Sequence, residues 1–297
     1  MTTAPPESFL VPTADDHPVV ADFYAPPGMA LGTPLARVVV MCHGFKGHRR
    51  WGFIPYMAER LQEGGIAVVA IDFSHNGRVP AEPPSPEAAG EQFVAPELFE
   101  ANTLRRERDD LAATLTWLRS PKSGGPFLVS GEAPVGLWGH SRGGVSVIMT
   151  ALGDPAVRAV STVATTNHPD TYSEHQKERW HREGAFKFTD NESGTKLAIG
   201  IEYLRELERE HNTYNLVSRA GELRAAHLIV HGEHDIVVPV FDGQRFYEVD
   251  EMHADKKFLR MFTGHLFGYA PDKPVNEVLT QTGDKTIEWF DEYLKQE

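Results

Sequence analysis

The sequence has little of what would indicate a disulfide-stabilised, membrane-embedded or nucleic-acid-binding protein. Its only cysteine is Cys42, so no disulfide can form within the chain. Lysine and arginine total 29 against 42 aspartates and glutamates, and the net charge of −13 disfavours nucleic acid and anionic membranes as partners. No apolar run is long enough to span a bilayer, and residues 1–12 lack a signal-peptide pattern. We therefore expect a cytoplasmic protein; the sequence does not indicate its oligomeric state.

Short apolar runs alternate with longer amphipathic stretches from Arg37 to the C-terminus. This alternation predicts parallel strands joined by crossover helices, and hence an α/β fold in a single domain over residues 1–297. Two opening segments, Ser8–Val11 and Val19–Tyr24, have no helix between them and predict an antiparallel pair at the sheet edge. The buried strands are predicted at residues 37–42, 67–72, 135–138, 157–164, 226–230 and 258–261, and the helices at 54–62, 98–118 and near 286–294.

One predicted connection is much longer than the others. Residues 167–224 lie between two predicted strands, and crossovers of that length are uncommon, so we interpret this segment as an inserted lid. Its turn-rich centre predicts a hairpin, followed by a helix over residues 201–209. Trp180 and Phe186 are predicted to line a substrate pocket, and the alternative is that they only pack the lid onto the core.

A glycine-flanked serine stands between a predicted strand and a predicted helix. The run Gly139-His140-Ser141-Arg142-Gly143 follows an apolar strand and precedes an apolar stretch that begins at Val145. This context is typical of a nucleophile elbow, in which a tight turn strains the serine backbone and leaves room only for glycine two residues to either side. The helix N-terminus favours the negative charge that develops during attack. We therefore predict that Ser141 is a catalytic nucleophile.

A serine nucleophile needs a histidine base and an acid that orients the base. Asp235 lies in the loop after one predicted strand, and His265 lies in the loop after the next. Because the carboxyl ends of parallel strands meet at one edge of a sheet, and because the order Ser, Asp, His fits the elbow motif, we predict these two residues as the partners. The alternatives that stay open are His253 as the base and Glu233 or Asp242 as the acid.

The third catalytic element would be an oxyanion hole. The run His43-Gly44-Phe45-Lys46-Gly47 follows the first predicted parallel strand. Gly44 lets the chain turn so that the backbone N–H of Phe45 can point into the site, beside the N–H of Arg142. We predict these two amides as the oxyanion hole and assign His43 the role of orienting the loop.

Together these residues resemble the α/β-hydrolase superfamily. The run 43–47, the run 73–77 and the pair Gly264-His265 are similar to bacterial serine hydrolases related to feruloyl and cinnamoyl esterases, and to the catalytic domains of acylaminoacyl and dipeptidyl peptidases. The resemblance implies a mostly parallel sheet of about eight strands, a lid after the sixth strand, no cofactor, and acyl transfer through a covalent acyl-serine. We expect no appended propeller domain of the kind that those peptidases carry, which disfavours peptide cleavage.

Three functions compete for this set of residues. A serine esterase acting on a small-molecule ester ranks first, because alcohols leave more easily than amines and no anionic pocket for a peptide N-terminus is evident. A serine peptidase or amidase of the acylaminoacyl or dipeptidyl type is the alternative, and a non-catalytic hydrolase-fold binding protein ranks third because every catalytic element is present. We expect no metal, because the sequence contains no H-E-x-x-H motif.

Overall fold

The computed structural model describes residues 4–15, 17–29, 35–78, 92–120, 134–249 and 255–295. Within these residues eight strands form one sheet, in the spatial order β1-β2-β4-β3-β5-β6-β9-β10. Strands β1 and β2 pair antiparallel, β2 and β4 pair antiparallel, and every other neighbouring pair is parallel. The strands of this sheet are β1 (Glu7–Val11), β2 (Val19–Tyr24), β3 (Val38–Cys42), β4 (Ala67–Asp72), β5 (Val135–His140), β6 (Val157–Val163), β9 (Ala226–Gly232) and β10 (Lys256–Met261).

Helices cover both faces of the sheet, which explains the continuous apolar runs of its strands. In β3, Val38, Val40 and Cys42 point into one apolar cluster, whereas Val39 and Met41 point into the other. The helices are α1 (Ile54–Glu63), α2 (Pro96–Ala101), α3 (Leu104–Arg119), α4 (Arg142–Gly153), α5 (Glu174–Glu183), α6 (Ile201–Arg209), α7 (His211–Tyr214), α8 (Leu216–Arg219), α9 (Val240–Val249) and α10 (Glu277–Tyr293).

The predicted α/β architecture is confirmed, including the antiparallel edge pair formed by the first two strands. The prediction of one helix over residues 98–118 is wrong. Two helices, α2 and α3, cover this stretch, because Asn102 is extended and the Thr103 hydroxyl accepts a hydrogen bond from the backbone N–H of Arg106 and so starts a new helix.

The last helix begins earlier than predicted, at Glu277 rather than near Thr286. Its N-cap is Asn276, whose side chain accepts a hydrogen bond from the backbone N–H of Leu279. The apolar face predicted for its end is correct, since Phe290 and Leu294 are fully buried. None of the helices that the structure describes is long and apolar enough to cross a bilayer.

The long segment between β6 and β9 contains a hairpin of β7 (Ala185–Thr189) and β8 (Lys196–Gly200), followed by α6 over the predicted residues. Capping explains its first helix, because Ser173 and Gln176 form a capping box at the start of α5 and Gly184 ends that helix in the left-handed region. The segment contacts α2, where the Cα of Gly200 approaches the carbonyl of Glu100 so closely that a Cβ would lie 2.7 Å from that oxygen.

Candidate active site

Ser141 occupies a strained backbone position between β5 and α4. Its φ of 53° and ψ of −123° are unfavourable for a residue with a side chain. The position is held from both sides, because the Ser141 amide donates to the carbonyl of Val163 at 2.8 Å and its carbonyl accepts from the amide of Gly144 at 3.0 Å. The strain lifts the side chain out of the strand at the carboxyl edge of the sheet.

The glycines of the motif are required by close backbone contacts. A Cβ on Gly139 would lie 2.6 Å from the carbonyl oxygen of Gly143, and a Cβ on Gly143 would lie 2.4 Å from the carbonyl oxygen of His43. Gly44 approaches from the other side, since a Cβ there would lie 3.0 Å from the Cβ of Ser141. The loop after β3 is therefore pressed directly against the turn that carries the serine.

Asp235 and His265 are hydrogen-bonded to each other. His265 Nδ1 lies 2.7 Å from Asp235 Oδ2, although the two residues are 30 positions apart. The loops that carry them are joined by backbone bonds, because the His234 amide donates to the Thr263 carbonyl at 2.9 Å and a Cβ on Gly232 would lie 2.5 Å from that same oxygen. The structure thus brings together the two residues that the sequence analysis paired.

The second oxygen of Asp235 is fixed by the protein backbone. Asp235 Oδ1 accepts hydrogen bonds from the amides of Val237 at 2.8 Å and Val238 at 2.9 Å. Burial raises the pKa of this carboxyl, but the hydrogen bonds from His265 and the two amides outweigh it, so the pKa lies below its usual value. The group is therefore a carboxylate at neutral pH and can hold the imidazole of His265 in one orientation.

His140, within the serine motif, contacts His265 as well. His140 Nε2 lies 3.2 Å from the His265 carbonyl oxygen, and the two rings are 4.8 Å apart. Burial lowers the pKa of His140 to about 3, so its ring is neutral and can donate this bond from Nε2. Among the described residues the Ser141 hydroxyl makes no hydrogen bond to His265; in unliganded hydrolases such bonds often tighten only when substrate binds.

The alternative acids have other partners. Glu233 pairs with Arg260 at 3.2 Å. Asp242 accepts hydrogen bonds from the Thr166 hydroxyl at 2.8 Å and from the Asn167 amide at 3.2 Å. The alternative base, His253, lies outside the described residues.

The two amides predicted for the oxyanion hole lie on backbones in contact, since the close approach of Gly44 to Ser141 joins their loops. Among the backbone hydrogen bonds of the described residues, none uses the N–H of Phe45 or of Arg142. His43 holds this loop: its Nδ1 lies 2.8 Å from the Gly44 carbonyl, and its Nε2 accepts from the Phe73 amide at 3.3 Å. Burial lowers the pKa of His43 to about 4, so the ring is neutral and suited to orienting the loop.

The aromatic residues of segment 167–224 differ in their surroundings. Trp180 is 1% exposed and packs against Tyr172 and Tyr203, with ring centroids 5.1 and 6.1 Å away. That is the packing role that the sequence analysis gave as the alternative. Phe186 is partly buried and packs 5.5 Å from Trp180. Phe188 contacts the loop after β3, with its ring 5.8 Å from that of Phe45.

A buried ion pair next to the serine has no counterpart in the sequence analysis. Arg142 Nη2 lies 2.8 Å from Glu107 Oε1, and the guanidinium lies over the ring of Tyr203 at 4.6 Å and 5.6 Å from the ring of Phe45. Burial lowers the pKa of Arg142, but the carboxylate of Glu107 and the phenols of Tyr203 and Tyr172 together raise it above its usual value, so the side chain stays charged. Glu107 lies on α3, and no local sequence pattern links it to residue 142.

No group of three or more histidine, cysteine, aspartate or glutamate side chains among the described residues is arranged to hold a metal ion. His231, which lies in β9 four residues before the candidate acid, directs its Nε2 at the Val238 carbonyl, 2.9 Å away. Its role is thus to brace the loop of Asp235.

Comparisons with known proteins agree with this architecture. The profile described as the alpha/beta hydrolase family matches residues 39–278. No curated protein matches the chain. Similar solved structures include Est1E from Butyrivibrio proteoclasticus with ferulic acid bound, at 19% identity and a TM-score of 0.66, with 97% of this chain and 100% of that chain covered.

Two further structures are similar in the same way. The esterase domain of a Rhodothermus marinus protein has 19% identity and a TM-score of 0.64, with 98% of this chain and 100% of that chain covered. Dipeptidyl peptidase 4 of Porphyromonas gingivalis has 18% identity and a TM-score of 0.62, and 99% of this chain corresponds to 36% of that protein. At these identities the likeness concerns the fold.

Proposed function

The chain belongs to the alpha/beta hydrolase family, and from that premise we propose that it is a serine hydrolase that cleaves carboxylic esters through an acyl-serine intermediate. The observation that carries the proposal is the strained backbone of Ser141 at the same sheet edge as the hydrogen-bonded pair of His265 and Asp235. A backbone strained in this way at the end of a strand is a hallmark of a nucleophile rather than of a structural serine.

In the proposed reaction, the Ser141 hydroxyl attacks the ester carbonyl while His265 Nε2 accepts its proton. Asp235 stabilises the imidazolium that forms, because its carboxylate already holds Nδ1. The amides of Phe45 and Arg142 donate hydrogen bonds to the oxyanion of the tetrahedral intermediate. The intermediate collapses to the acyl-serine when His265 gives the proton to the leaving alcohol. Water then attacks the acyl-serine while His265 accepts a proton from it, and the acid is released when His265 returns that proton to Ser141.

We also propose that residues 167–224 act as a lid that sets substrate choice. Support comes from two contacts of the hairpin with the loop of the oxyanion hole: Phe188 packs against Phe45, and Asp190 pairs with Lys46 at 2.6 Å. A segment tied to that loop forms a wall beside the reacting carbonyl. Phe188, rather than the buried Trp180, is therefore the aromatic residue we assign to the acyl pocket.

A panel of substrates tests the proposal. The purified protein is assayed on p-nitrophenyl esters of graded chain length, on methyl ferulate and on aminoacyl p-nitroanilides, in parallel with its Ser141→Ala variant. We expect turnover of esters that disappears in the variant. Anilides cleaved in preference to every ester would favour the peptidase alternative, and turnover of none of these by a folded protein would favour a binding protein.

A further inference from the structure

The side chain of Arg142 has a setting that its backbone role does not require. An oxyanion-hole amide can belong to any residue, yet here the side chain is a guanidinium held between two aromatic rings, with 12% of its surface accessible. Its atoms Nε and Nη2 are enclosed and lack a well-directed hydrogen bond. Enclosing a charged group costs free energy that enclosing an apolar residue does not. A guanidinium held in this state beside the candidate nucleophile therefore indicates a functional role.

The carboxylate of Glu107 holds the guanidinium of Arg142 in place but does not accept hydrogen bonds from all of its donors. Glu107 Oε1 accepts from the Asn102 amide group at 2.9 Å, Oε2 accepts from the Ser146 hydroxyl at 2.6 Å, and only one oxygen faces Arg142. Both oxygens of Glu107 are thus held by other donors. The guanidinium carries five N–H donors, and its Nη1, which is not among the enclosed atoms, is the nitrogen left open to an acceptor from outside.

Two phenols border the guanidinium. Arg142 lowers the pKa of both Tyr172 and Tyr203, against the larger raising effect of burial, so the three groups interact. No hydrogen bond among the described residues involves the hydroxyl of either tyrosine, and neither oxygen belongs to the enclosed polar atoms that lack a partner. Tyr203 is only 3% exposed as a whole, and its oxygen, which is neither enclosed nor bonded, is open to an acceptor.

The electrostatic environment of these donors can accommodate an anion. Glu107 offsets the charge of Arg142, and the N-terminus of α4 adds a partial positive charge at the same place. Burial raises the pKa of Asp110, which lies three residues after Glu107 on α3, to about 8, so this carboxyl is largely neutral at pH 7. A group that accepts hydrogen bonds from a guanidinium and from phenols is best matched by a carboxylate, whose planar oxygens suit the guanidinium fork.

We propose that Arg142, with Tyr172 and Tyr203, recognises a carboxylate on the substrate, so that the preferred esters carry a free acid group close to the scissile bond. The inference rests on the proposed function, because it takes Ser141 as the attacking residue. The carboxylate can belong to the acyl part or to the alcohol part, and the two substrate pairs below distinguish these cases.

Two matched substrate pairs test the proposal. The first compares mono(p-nitrophenyl) glutarate with p-nitrophenyl valerate, which differ by a carboxylate in place of a methyl group in the acyl part. The second compares 3-acetoxybenzoate with phenyl acetate, which differ by a carboxylate in the alcohol part. The measured quantity is the ratio of kcat/KM between the acidic and the neutral ester of each pair.

We expect the parent to prefer the acidic ester in one of the pairs. In Arg142→Gln that ratio should fall by roughly 10- to 100-fold, the range for losing hydrogen bonds to a charged group. Arg142→Lys should restore part of it. Tyr203→Phe removes a single oxygen and should lower the ratio by roughly tenfold, the lower end of the range for one hydrogen bond to a charged group, and it carries the test if Arg142→Gln does not fold.

A second ion pair between the same helices provides the control. Arg119 of α3 pairs at 2.7 Å with Asp154, which follows α4, at the opposite end from the serine. Arg119→Gln should leave the ratios of both pairs unchanged. Ratios that are equal in the parent and in folded Arg142→Gln and Tyr203→Phe would overturn the inference. Turnover of these esters that survives in Ser141→Ala would instead overturn the proposed function, so the two failures are distinguishable.

Discussion

The loops at the carboxyl edge of the sheet and the segment 167–224 are built in different ways. At the sheet edge, backbone contacts fix the geometry: Ser141 is held by two amide–carbonyl bonds, and Gly143 packs directly onto the end of β3. In the segment, aromatic side chains form a packed group, with Trp180 enclosed by its neighbours and Phe188 in contact with the loop after β3. The proposed chemistry therefore depends on backbone positions, whereas the proposed specificity depends on side chains.

The largest effects should come from the pair that supports the serine. His265→Ala should lower kcat by about 10⁴-fold or more, and Asp235→Asn should come close to this because it disturbs the tautomer and orientation of the imidazole. Both variants should melt within a few degrees of the parent, as monitored by circular dichroism. Unimpaired turnover in His265→Ala would transfer the role of the base to another histidine, and His253 would be examined first.

Trp180→Ala should affect stability far more than specificity. Removing a side chain that is 1% exposed leaves a cavity, and the expected loss is about 3–5 kcal/mol in the free energy of unfolding. Phe188→Ala, at a half-buried ring, should cost about 1–2 kcal/mol and shift the ratio of kcat/KM between long and short acyl esters. Urea unfolding and a chain-length profile of both variants check this contrast. The opposite result, an altered profile in Trp180→Ala only, would return the pocket role to Trp180.

Gly143→Ala tests whether close backbone contacts fix the geometry at the sheet edge. Its Cβ would lie 2.4 Å from a backbone oxygen that no rotamer can move, so we expect a loss of about 3 kcal/mol and of most activity. Gly153, in the last turn of the same helix, has no heavy atom within 4 Å of the corresponding Cβ position. Gly153→Ala is therefore a matched control that should be neutral or slightly stabilising. Equal melting temperatures for the two variants would refute the packing argument.

The smallest effect concerns the link between the two regions. Burial raises the pKa of Asp190, but hydrogen bonds from Lys46 and Ser193 outweigh it and lower the pKa to about 2. Because the folded pKa lies below the unfolded one, this carboxylate stabilises the fold above about pH 4, and that contribution is lost as the pH falls from about 4 to 2. Asp190→Asn should therefore lower the free energy of unfolding by about 1 kcal/mol at pH 7 and by much less at pH 2.5.

The sequence was most informative where local patterns decide the structure. Apolar runs located the buried strands, and the motif around Ser141 is a local pattern of an apolar strand, a glycine-flanked serine and an apolar helix. The break before α3 and the early start of α10 also had local signals, in Thr103 and Asn276, which are both good N-caps.

The part that could not be predicted depends on contacts between residues far apart in the chain. Glu107 reaches Arg142 from another helix, and Phe188 reaches Phe45 across 143 positions (188 − 45). Neither contact leaves a periodic or motif signal in one sequence. The assignment of Trp180 and Phe186 to the pocket could not take this packing into account for the same reason, because the exposure of each aromatic ring depends on how the hairpin packs.

The most direct test of the central claim is to identify the residue that reacts with a fluorophosphonate. The parent protein is labelled, digested and analysed by tandem mass spectrometry, with heat-denatured protein as the control for nonspecific reaction. We predict a single adduct on Ser141, formed only by the folded protein and slowed in His265→Ala, because the attacking hydroxyl depends on the imidazole for its proton transfer. An adduct on another residue, or labelling of Ser141→Ala at the parent's rate, would contradict the account.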